Sequence, residues 1–542
     1  MKDNPYYLDR KVYDTLTDLF NDSFSVYRDN ILFRFTDNGV DYEKTYLATF
    51  HDILAVSAGV ASLRLKKKHI AILGKMSYQW LISYLGIIYA GYTVIPMDKD
   101  LSAEEIIKQL DISDASCFMV DNDYCYLAEL VKNKLSQVEH LICFNEGEHN
   151  FDILLNLMER VPKEQHTTKY EVKPTQVAQI LFTSGTMGKP RAVTLTHQNI
   201  TNNVTFSGSI LNKDETYTTF SILPNNHSYE LTTDILTPIS FGATIAINDS
   251  VKKFKANIRK YKPTILIAVP AVLEALQKEI IRESKRTGRE KKMKIALKIS
   301  SALYSLGIDI RRRMFKEVHD VFGGRLTKIV SGGAFLPLDI YDFFTSLGIT
   351  VMVGYGITEC SPLVSANTDK YTKRGSVGKI YDRFCEVKIV DDEIYIKGAS
   401  VTPGYYNDES SNLEHFENGW FKTGDLGYID KNGYLYITGR KKNLIILGNG
   451  QNISPEELEY LLLRIPLIKE VMVYADHNVI VAEILPEYED GVYYDKLNIE
   501  DVLNKEIKQF NSKLPVYKQI QKLKIRDTPF EKATTRKIKR KL

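Results

Sequence analysis

The stretch "ILFTSGTMGKPRAVTLTHQNI", residues 180–200, runs from a short apolar segment into Thr183, Ser184, Gly185, Thr186, Gly188, Lys189 and Arg191. Its glycines let backbone N–H groups approach an anion, its hydroxyls donate, and Lys189 and Arg191 supply positive charge. That is the chemistry of a phosphate-holding loop. A nucleotide-triphosphatase loop needs GxxxxGK followed by Ser or Thr; here Gly185 to Gly188 is too short and Pro190 follows the lysine, so that form is excluded. Taken alone, the composition also suits a plain surface turn.

Around this loop, "HIAILG", "ASCFMV", "HLICF", "PTILIAV" and "TKIVSGG" read as short apolar strands alternating with helical stretches such as "EEIIKQL" and "AVLEALQKEII". The alternation predicts α/β sheets with helical crossovers over the first two thirds of the chain. From Gly375 the texture changes to "CEVKIVDDEIYIKGASV" and "GYIDKNGYLYITGRKKNLIIL", where strands follow one another through Asp-Asp and Asn-Gly turns, predicting an antiparallel module.

The last hundred or so residues read as a small α+β unit with a basic tail. Ser454, Pro455 and Glu457 predict a helix start with a capping box, and Leu458, Leu461, Leu462 and Ile465 fall on one helical face. The polar "GRKKN" interrupts two strand-like runs, which places the expected boundary between a large domain, 1–441, and a small one, 442–542. The charge-rich "ESKRTGREKKMK" reads as a solvated helix or loop.

At 542 residues the chain exceeds what one core supports, so at least two domains are expected. An apolar share of 44%, a charged share of 26% and a net charge of +3 are ordinary for a globular protein and exclude wholesale disorder or nucleic-acid packing. Cys117, Cys125, Cys143, Cys360 and Cys385 are scattered, form no CxxC pair and follow no secretory leader, for which a reducing cytoplasm is the simplest reading. The apolar "WLISYLGIIYAGYTVIPM", Trp80 to Met97, is broken by Ser83, tyrosines, glycines and Pro96, and is expected to be a buried helix and strand rather than a membrane span.

The loop at 183–189 resembles the phosphate loop of the adenylate-forming superfamily, which contains acyl-CoA synthetases, luciferases and the adenylation domains of peptide synthetases. It departs from the common pattern at Met187, Arg191 and Ala192, where Thr, Lys and Gly are usual. Further motifs follow in the family's order. "LPNNHSYELT" (223–232) resembles the border of the acid pocket, and "SGGAFLP" (331–337) resembles the segment against adenine. "GYGITECSP" (354–362) matches Tyr-Gly-x-Thr-Glu, and "WFKTGDLG" (420–427) matches Thr-Gly-Asp. "GRKKNLIILGNGQNISPEELE" (439–459) matches the hinge and its sequel, and "EKATTRKIKR" (531–540) resembles the terminal lysine motif, with Arg536 where Gly is common.

The resemblance implies a carboxylate attacking the α-phosphorus of ATP with loss of pyrophosphate, a transfer in which the protein mostly positions groups and neutralises charge. It assigns Thr183, Ser184, Gly185, Thr186, Gly188 and Lys189 to the β and γ phosphates, and Gly332, Gly333, Ala334, Tyr355 and Gly356 to the adenine side. Glu359 is expected to hold Mg²⁺, since a hard cation prefers carboxylate oxygen, and Thr358 to contact the α-phosphate. Asp425 and Arg440 are expected at the ribose. Lys537 becomes a mobile catalytic lysine, and Lys442 the hinge. Gly448 and Gly450 would let the pantetheine arm of CoA pass near backbone. His227 lacks a metal-ligand partner at useful spacing; the resemblance makes it a gate on the acid pocket or thiol path, while a satisfied buried histidine is the plain alternative.

An amino-acid-activating relative would place Asp after the pocket aromatic, whereas this chain has Asn226, His227, Ser228, Tyr229 and Glu230, with Asp234 later as weak support for an amine. "LPNNHSYE" together with "ILGKMSYQWLISYLGIIYAG" looks most like bacterial long-chain fatty acyl-CoA synthetases. The expected partners are a fatty or other carboxylic acid, ATP and CoA, with an acyl carrier protein as alternative acceptor, no nucleic acid, and peripheral contact with a membrane left open. Alternatives are an acyl-AMP ligase loading a carrier protein, an aryl- or amino-acid-adenylating enzyme, or a non-catalytic binding protein of the same fold.

Overall fold

In the computed structural model, residues 5–147, 151–167, 170–184, 189–212, 214–446, 452–465, 467–477, 479–487, 496–531, 538 and 540 are described. The chain divides into two compact units. The first comprises Met1–Val387, Ile396–Phe421 and Lys431–Leu435; the second comprises Lys388–Tyr395, Lys422–Asp430 and Tyr436–Leu542.

Three sheets organise the first unit. In the largest, the short apolar strands His69–Leu73, Thr93–Met97, Cys117–Val120 and His140–Cys143 run parallel, with helices such as Tyr78–Tyr89 and Ala103–Ile112 as crossovers. Buried on both faces, such strands need no polar alternation, which is why they read as continuous apolar runs. Strand Val177–Ser184 pairs parallel with Thr93–Met97 and antiparallel with Pro190–Thr196, setting Thr183 opposite Arg191 and Ser184 opposite Pro190. The expected phosphate loop therefore falls between two paired strands of the largest sheet.

A second sheet holds Ile265–Ala268, Lys328–Ser331 and Thr350–Gly356 in parallel, continued by antiparallel Leu363–Ala366 and Lys379–Ile380. A third joins Thr218–Ser221, Thr244–Ile247 and Ile31–Asp37 in parallel, with Val40–Thr45 antiparallel at its edge.

The segment Trp80–Met97 is a helix followed by strand Thr93–Met97, with Trp80, Tyr84 and Tyr89 fully buried. Among the described residues no helix is long and apolar enough to cross a membrane. Cys125 and Cys143 are joined by a disulfide with their Cα atoms 6.5 Å apart, while Cys117, Cys360 and Cys385 are free and buried. A separation of 18 residues carries no pairing signal, and a disulfide is unusual in the reducing cytoplasm that the cysteine scatter suggested.

In the second unit, strands Ile468–Asp476, Val479–Pro486 and Lys522–Ile525 form a sheet, and helices Pro455–Leu462 and Lys496–Asn511 contribute to the same core through Leu458, Leu462 and Leu503. Pro455 stands at the first helical position after Ser454 as expected, but the capping box does not form. The Ser454 hydroxyl donates instead to Glu456 Oε2 at 3.0 Å, and Glu457 pairs with Lys518 at 2.7 Å. The Asp391-Asp392 turn is tight, with both residues at positive φ, 49° and 63°.

Candidate active site

Parallel strands deliver their C-terminal ends to one side of a sheet, where loops can converge on a ligand. Here Lys328–Ser331 leads into Gly332, Gly333 and Ala334, and its neighbour Thr350–Gly356 leads into Thr358 and Glu359, with Ser331 in register with Val353. Gly332 is buried and its N–H donates to Ala268 O at 3.4 Å, while Gly333, at φ +78°, and Ala334 are exposed. A Cβ on Gly332 would lie 3.2 Å from the Tyr229 ring, and Tyr229 OH donates to Val330 O at 3.0 Å. The pocket motif and the adenine motif thus meet through Tyr229 and Gly332. Tyr355 is buried in the same strand, and Gly356 packs so closely that a Cβ would fall 2.2 Å from Pro362 O.

Thr358–Cys360 is a single 3₁₀ turn at the strand's end, followed by a cis Ser361–Pro362 bond. Its backbone is tied down by Thr402, whose N–H donates to Glu359 O at 2.7 Å. The Glu359 carboxylate accepts from Tyr405 OH at Oε1, 3.0 Å, and its Oε2 makes no hydrogen bond among the described residues. Burial first, and then the Glu359 charge, push the Tyr405 phenol well above its usual pKa, so it remains a donor. Tyr405 is placed by a short strand, Gly404–Tyr405, set opposite Thr194 and Val193.

Arg191 stacks over the Tyr405 ring at 5.5 Å and donates to His415 Nε2 at 3.1 Å and Glu414 Oε2 at 3.3 Å. The guanidinium expected to face phosphate thus belongs to an aromatic and acidic cluster, while Lys189 is exposed. Thr183 is half-buried, and only the backbone of Ser184 is described. Gly185, Thr186 and Gly188 lie outside the described residues, as do Gly448, Gly450 and Lys537.

His227 is half-buried at the foot of an eight-residue π-helical segment, Tyr229–Leu236, and its carbonyl accepts from Leu231 N–H at 3.1 Å. Among the described residues no group of three or more His, Cys, Asp or Glu side chains is arranged to hold a metal ion. The π-helix carries two buried carboxyls, Glu230 and Asp234. Burial, and for Glu230 also the neighbouring Asp234, raises both well above the usual carboxylate range. Asp234 is enclosed in protein and burial raises its carboxyl to about 7, so it is a weaker anion for an amine than an ordinary aspartate.

In the second unit, Asp425 is nearly fully buried and receives Arg440 Nε at 2.7 Å, leaving the guanidinium half exposed. Its Thr-Gly-Asp segment, inside strand Trp420–Ile429, is shaped by Asp425 N–H donating to Thr423 Oγ1 at 3.0 Å and by Gly424 at φ +67°, whose N–H donates to Glu393 Oε1 at 3.0 Å. Glu393 also receives Lys441 at 2.7 Å. Lys442 is exposed in the 3₁₀ turn that follows. Sequence reasoning missed Tyr405 and Glu393. For Glu393 a signal existed, an acid followed by apolar residues in strand Glu393–Gly398; for Tyr405, within "PGYYND", none did.

The AMP-binding enzyme family matches residues 20–406, and the AMP-binding enzyme C-terminal domain matches residues 442–542. The chain belongs to the AMP-binding enzyme family. An AMP-binding enzyme of this adenylate-forming superfamily uses ATP to adenylate its substrate. Among its curated relatives, the Mycobacterium bovis long-chain-fatty-acid–CoA ligase FadD15 is 27% identical over 493 residues, 85% of this chain and 81% of that protein. The chloroplastic long-chain-fatty-acid–[acyl-carrier-protein] ligase AEE15 of Arabidopsis thaliana is 25% identical over 95% of this chain and 82% of its own length. The fold of this AMP-binding enzyme is also that of the anthranilate CoA ligase AuaEII with anthranoyl-AMP, at a TM-score of 0.80 and 19% identity over 98% and 96% of the two chains. The Bacillus subtilis o-succinylbenzoate CoA synthetase with ATP and magnesium ion superposes at 0.73, with 22% identity over 96% and 98%.

Proposed function

We propose that this AMP-binding enzyme is an AMP-forming acid–thiol ligase that activates a medium- or long-chain fatty acid as acyl-AMP and passes the acyl group to CoA. The observation that supports it best is Glu359, a carboxylate fixed by Tyr405 with its second oxygen uncommitted among the described residues, directly beyond the strand whose neighbour carries Gly332, Gly333 and Ala334. A single carboxylate beside a threonine hydroxyl fits Mg²⁺, which takes most of its ligands from water and phosphate oxygens. Glu359 would hold the ion, and the ion when bound would neutralise charge on ATP.

In this reading Thr183, Ser184, Gly185, Thr186, Gly188 and Lys189 receive the leaving phosphates, Thr358 contacts the α-phosphate, and Tyr355 and Gly356 with 332–334 border adenine. The Asp425 carboxylate, its orientation set by Arg440, accepts from ribose hydroxyls. Lys537, in a small domain spanning 442–542, bridges the carboxylate and α-phosphate, where a charge-assisted contact stabilises developing negative charge. Rotation about Lys442 then brings Gly448 and Gly450 to the thiol path. The fatty-acid assignment draws on relatives named as long-chain fatty acid ligases, and the carrier-protein alternative on the Arabidopsis relative.

The test is pyrophosphate release with ATP and Mg²⁺ against fatty, aryl and amino acids, each with and without CoA. Release with medium or long fatty acids, yielding acyl-CoA when CoA is present, is expected. Release to which CoA makes no difference would move the acceptor to a carrier protein, and release only with aryl or amino acids would overturn the fatty-acid assignment.

A further inference from the structure

The helix Glu290–Ser305 has two apolar faces. On one, Met293, Ala296 and Leu297 pack against the core of the second sheet, and Ser300 Oγ donates to Ser346 O at 3.1 Å, fixing the helix's rotation. On the opposite side Ile295 and Ile299 are 58% and 47% exposed, and Leu306 and Ile308, just past the helix end, are 75% and 51% exposed. At 100° per residue, Ile295, Ile299, Ala302 and Leu306 form one outward stripe, because residues three and four apart are neighbours on a helix surface. A surface helix with one face already buried gains nothing in water from a second apolar stripe.

Lysines border that stripe. Lys292 lies on one side and Lys291, Lys294 and Lys298 on the other; Lys294 pairs with Glu290, whereas Lys292 and Lys298 form no ion pair among the described residues. From Arg282 to Lys298 there are eight Lys and Arg against two Glu, a larger positive excess than the +3 of the whole chain. A second copy of this face would bring like charges together, and a neutral apolar groove would leave the lysines without partners. An anionic lipid surface satisfies both features at once, taking the apolar stripe below the headgroups while long lysine stems extend upward to phosphate.

We infer that the helix Glu290–Ser305 and the following turn through Ile308 dock this protein on anionic lipid bilayers. The inference is independent of which acid is activated. The surface lies in the first unit.

The experiment is flotation of the full-length protein with vesicles of phosphatidylcholine alone or with about one third phosphatidylglycerol, at low and high salt. Binding to the anionic vesicles at low salt is expected, weakened by salt. Ile295→Ser/Ile299→Ser/Leu306→Ser should lower the partition coefficient on the order of a hundredfold, since each of the three exposed apolar side chains loses the area it would bury in the bilayer. Lys292→Glu/Lys298→Glu should lower anionic binding at least about twentyfold, close to fivefold per removed lysine, and erase the preference over phosphatidylcholine. Both variants change exposed side chains, and unchanged thermal melting would show that they are folded. Absence of binding by the parent protein, or undiminished binding by the folded apolar variant, would overturn the inference. So would a lipid-free dimer that the apolar variant abolishes, which would make the stripe an interface between copies.

Discussion

Replacing Tyr405 by Phe removes one atom from the described site and tests whether Glu359 does its work in the orientation seen here. The phenol donates to Glu359 Oε1 at 3.0 Å, and its ring supports Arg191 at 5.5 Å. A hydrogen bond to a charged acceptor contributes about 1.5–3 kcal/mol, and the lower half applies because Glu359 is only partly buried. About 1.5–2 kcal/mol corresponds to a ten- to thirtyfold loss. Phe preserves the ring and hence the contact with Arg191, so melting should move little. The assay is pyrophosphate release with a fatty acid, titrated with Mg²⁺. If the bond orients Glu359 toward the metal, Tyr405→Phe should raise the Mg²⁺ concentration for half-maximal rate and lower kcat/KM by the same ten- to thirtyfold. Tyr405→Leu should lose about another 0.5–1 kcal/mol from the stacked guanidinium. Pyrophosphate release within twofold of the parent protein at every Mg²⁺ concentration would refute the reasoning, because the Glu359 carboxylate would then be indifferent to its only hydrogen-bond donor among the described residues.

Gly356→Ala should be far more damaging than its one methyl implies: the new Cβ meets Pro362 O at 2.2 Å, backbone that must move, and about 1–3 kcal/mol of stability together with at least tenfold of pyrophosphate release should go with it, read by melting and rate. Asp234→Asn should flatten a pH dependence of stability. Because burial raises this carboxyl in the folded state, folding binds its proton more tightly, so stability falls as pH rises from about 4 through the raised value, and urea midpoints across that range should decline less in the variant. Arg540→Ala should destabilise the second unit more at pH 8.5 than at 6.5. Burial raises Glu459 to about 7 against the opposing pull of Arg540, which contacts it through both oxygens at 2.6 Å. Without the guanidinium the carboxyl titrates still higher, and the penalty grows by up to about 1.4 kcal/mol per pH unit above 7; equal penalties at both pH values in urea unfolding would reject this.

What could be read in the sequence follows from how each feature is encoded. The parallel strands were legible because burial on both faces forces unbroken apolar runs such as "HIAILG" and "ASCFMV", and those runs emerge as His69–Leu73 and Cys117–Val120. The Asp391-Asp392 turn was legible because few residues tolerate positive φ at two successive positions. Ser454 shows the limit of local rules: its helix begins where the signals place it, yet the hydroxyl chose Glu456 because Glu457 was drawn to Lys518, a residue 61 positions away. The disulfide between Cys125 and Cys143 is likewise a product of topology. The parallel pairing of Cys117–Val120 with His140–Cys143 brings the second strand's end back to the first residue of the helix that connects them.

The same distinction separates the parts of the site. Glu359 could be named from its motif because the residues that shape its turn, Gly354, Tyr355, Gly356 and Thr358, are adjacent in the chain. What holds it could not, since Tyr405 arrives from 46 residues away on a strand whose only local mark is two residues long. Arg191 shows the consequence for function. Read in its loop it is expected to be a phosphate cation, and in space it also stands in a connection running from Glu414 and His415 through the Tyr405 ring to Glu359. A guanidinium fits that role better than an ammonium, because a planar cation can stack on the ring and donate to two acceptors at once. The departure from lysine at this position therefore has a physical reason that the loop alone does not contain. Arg191 and Glu359 meet through one tyrosine, so a change at either end should be felt at the other.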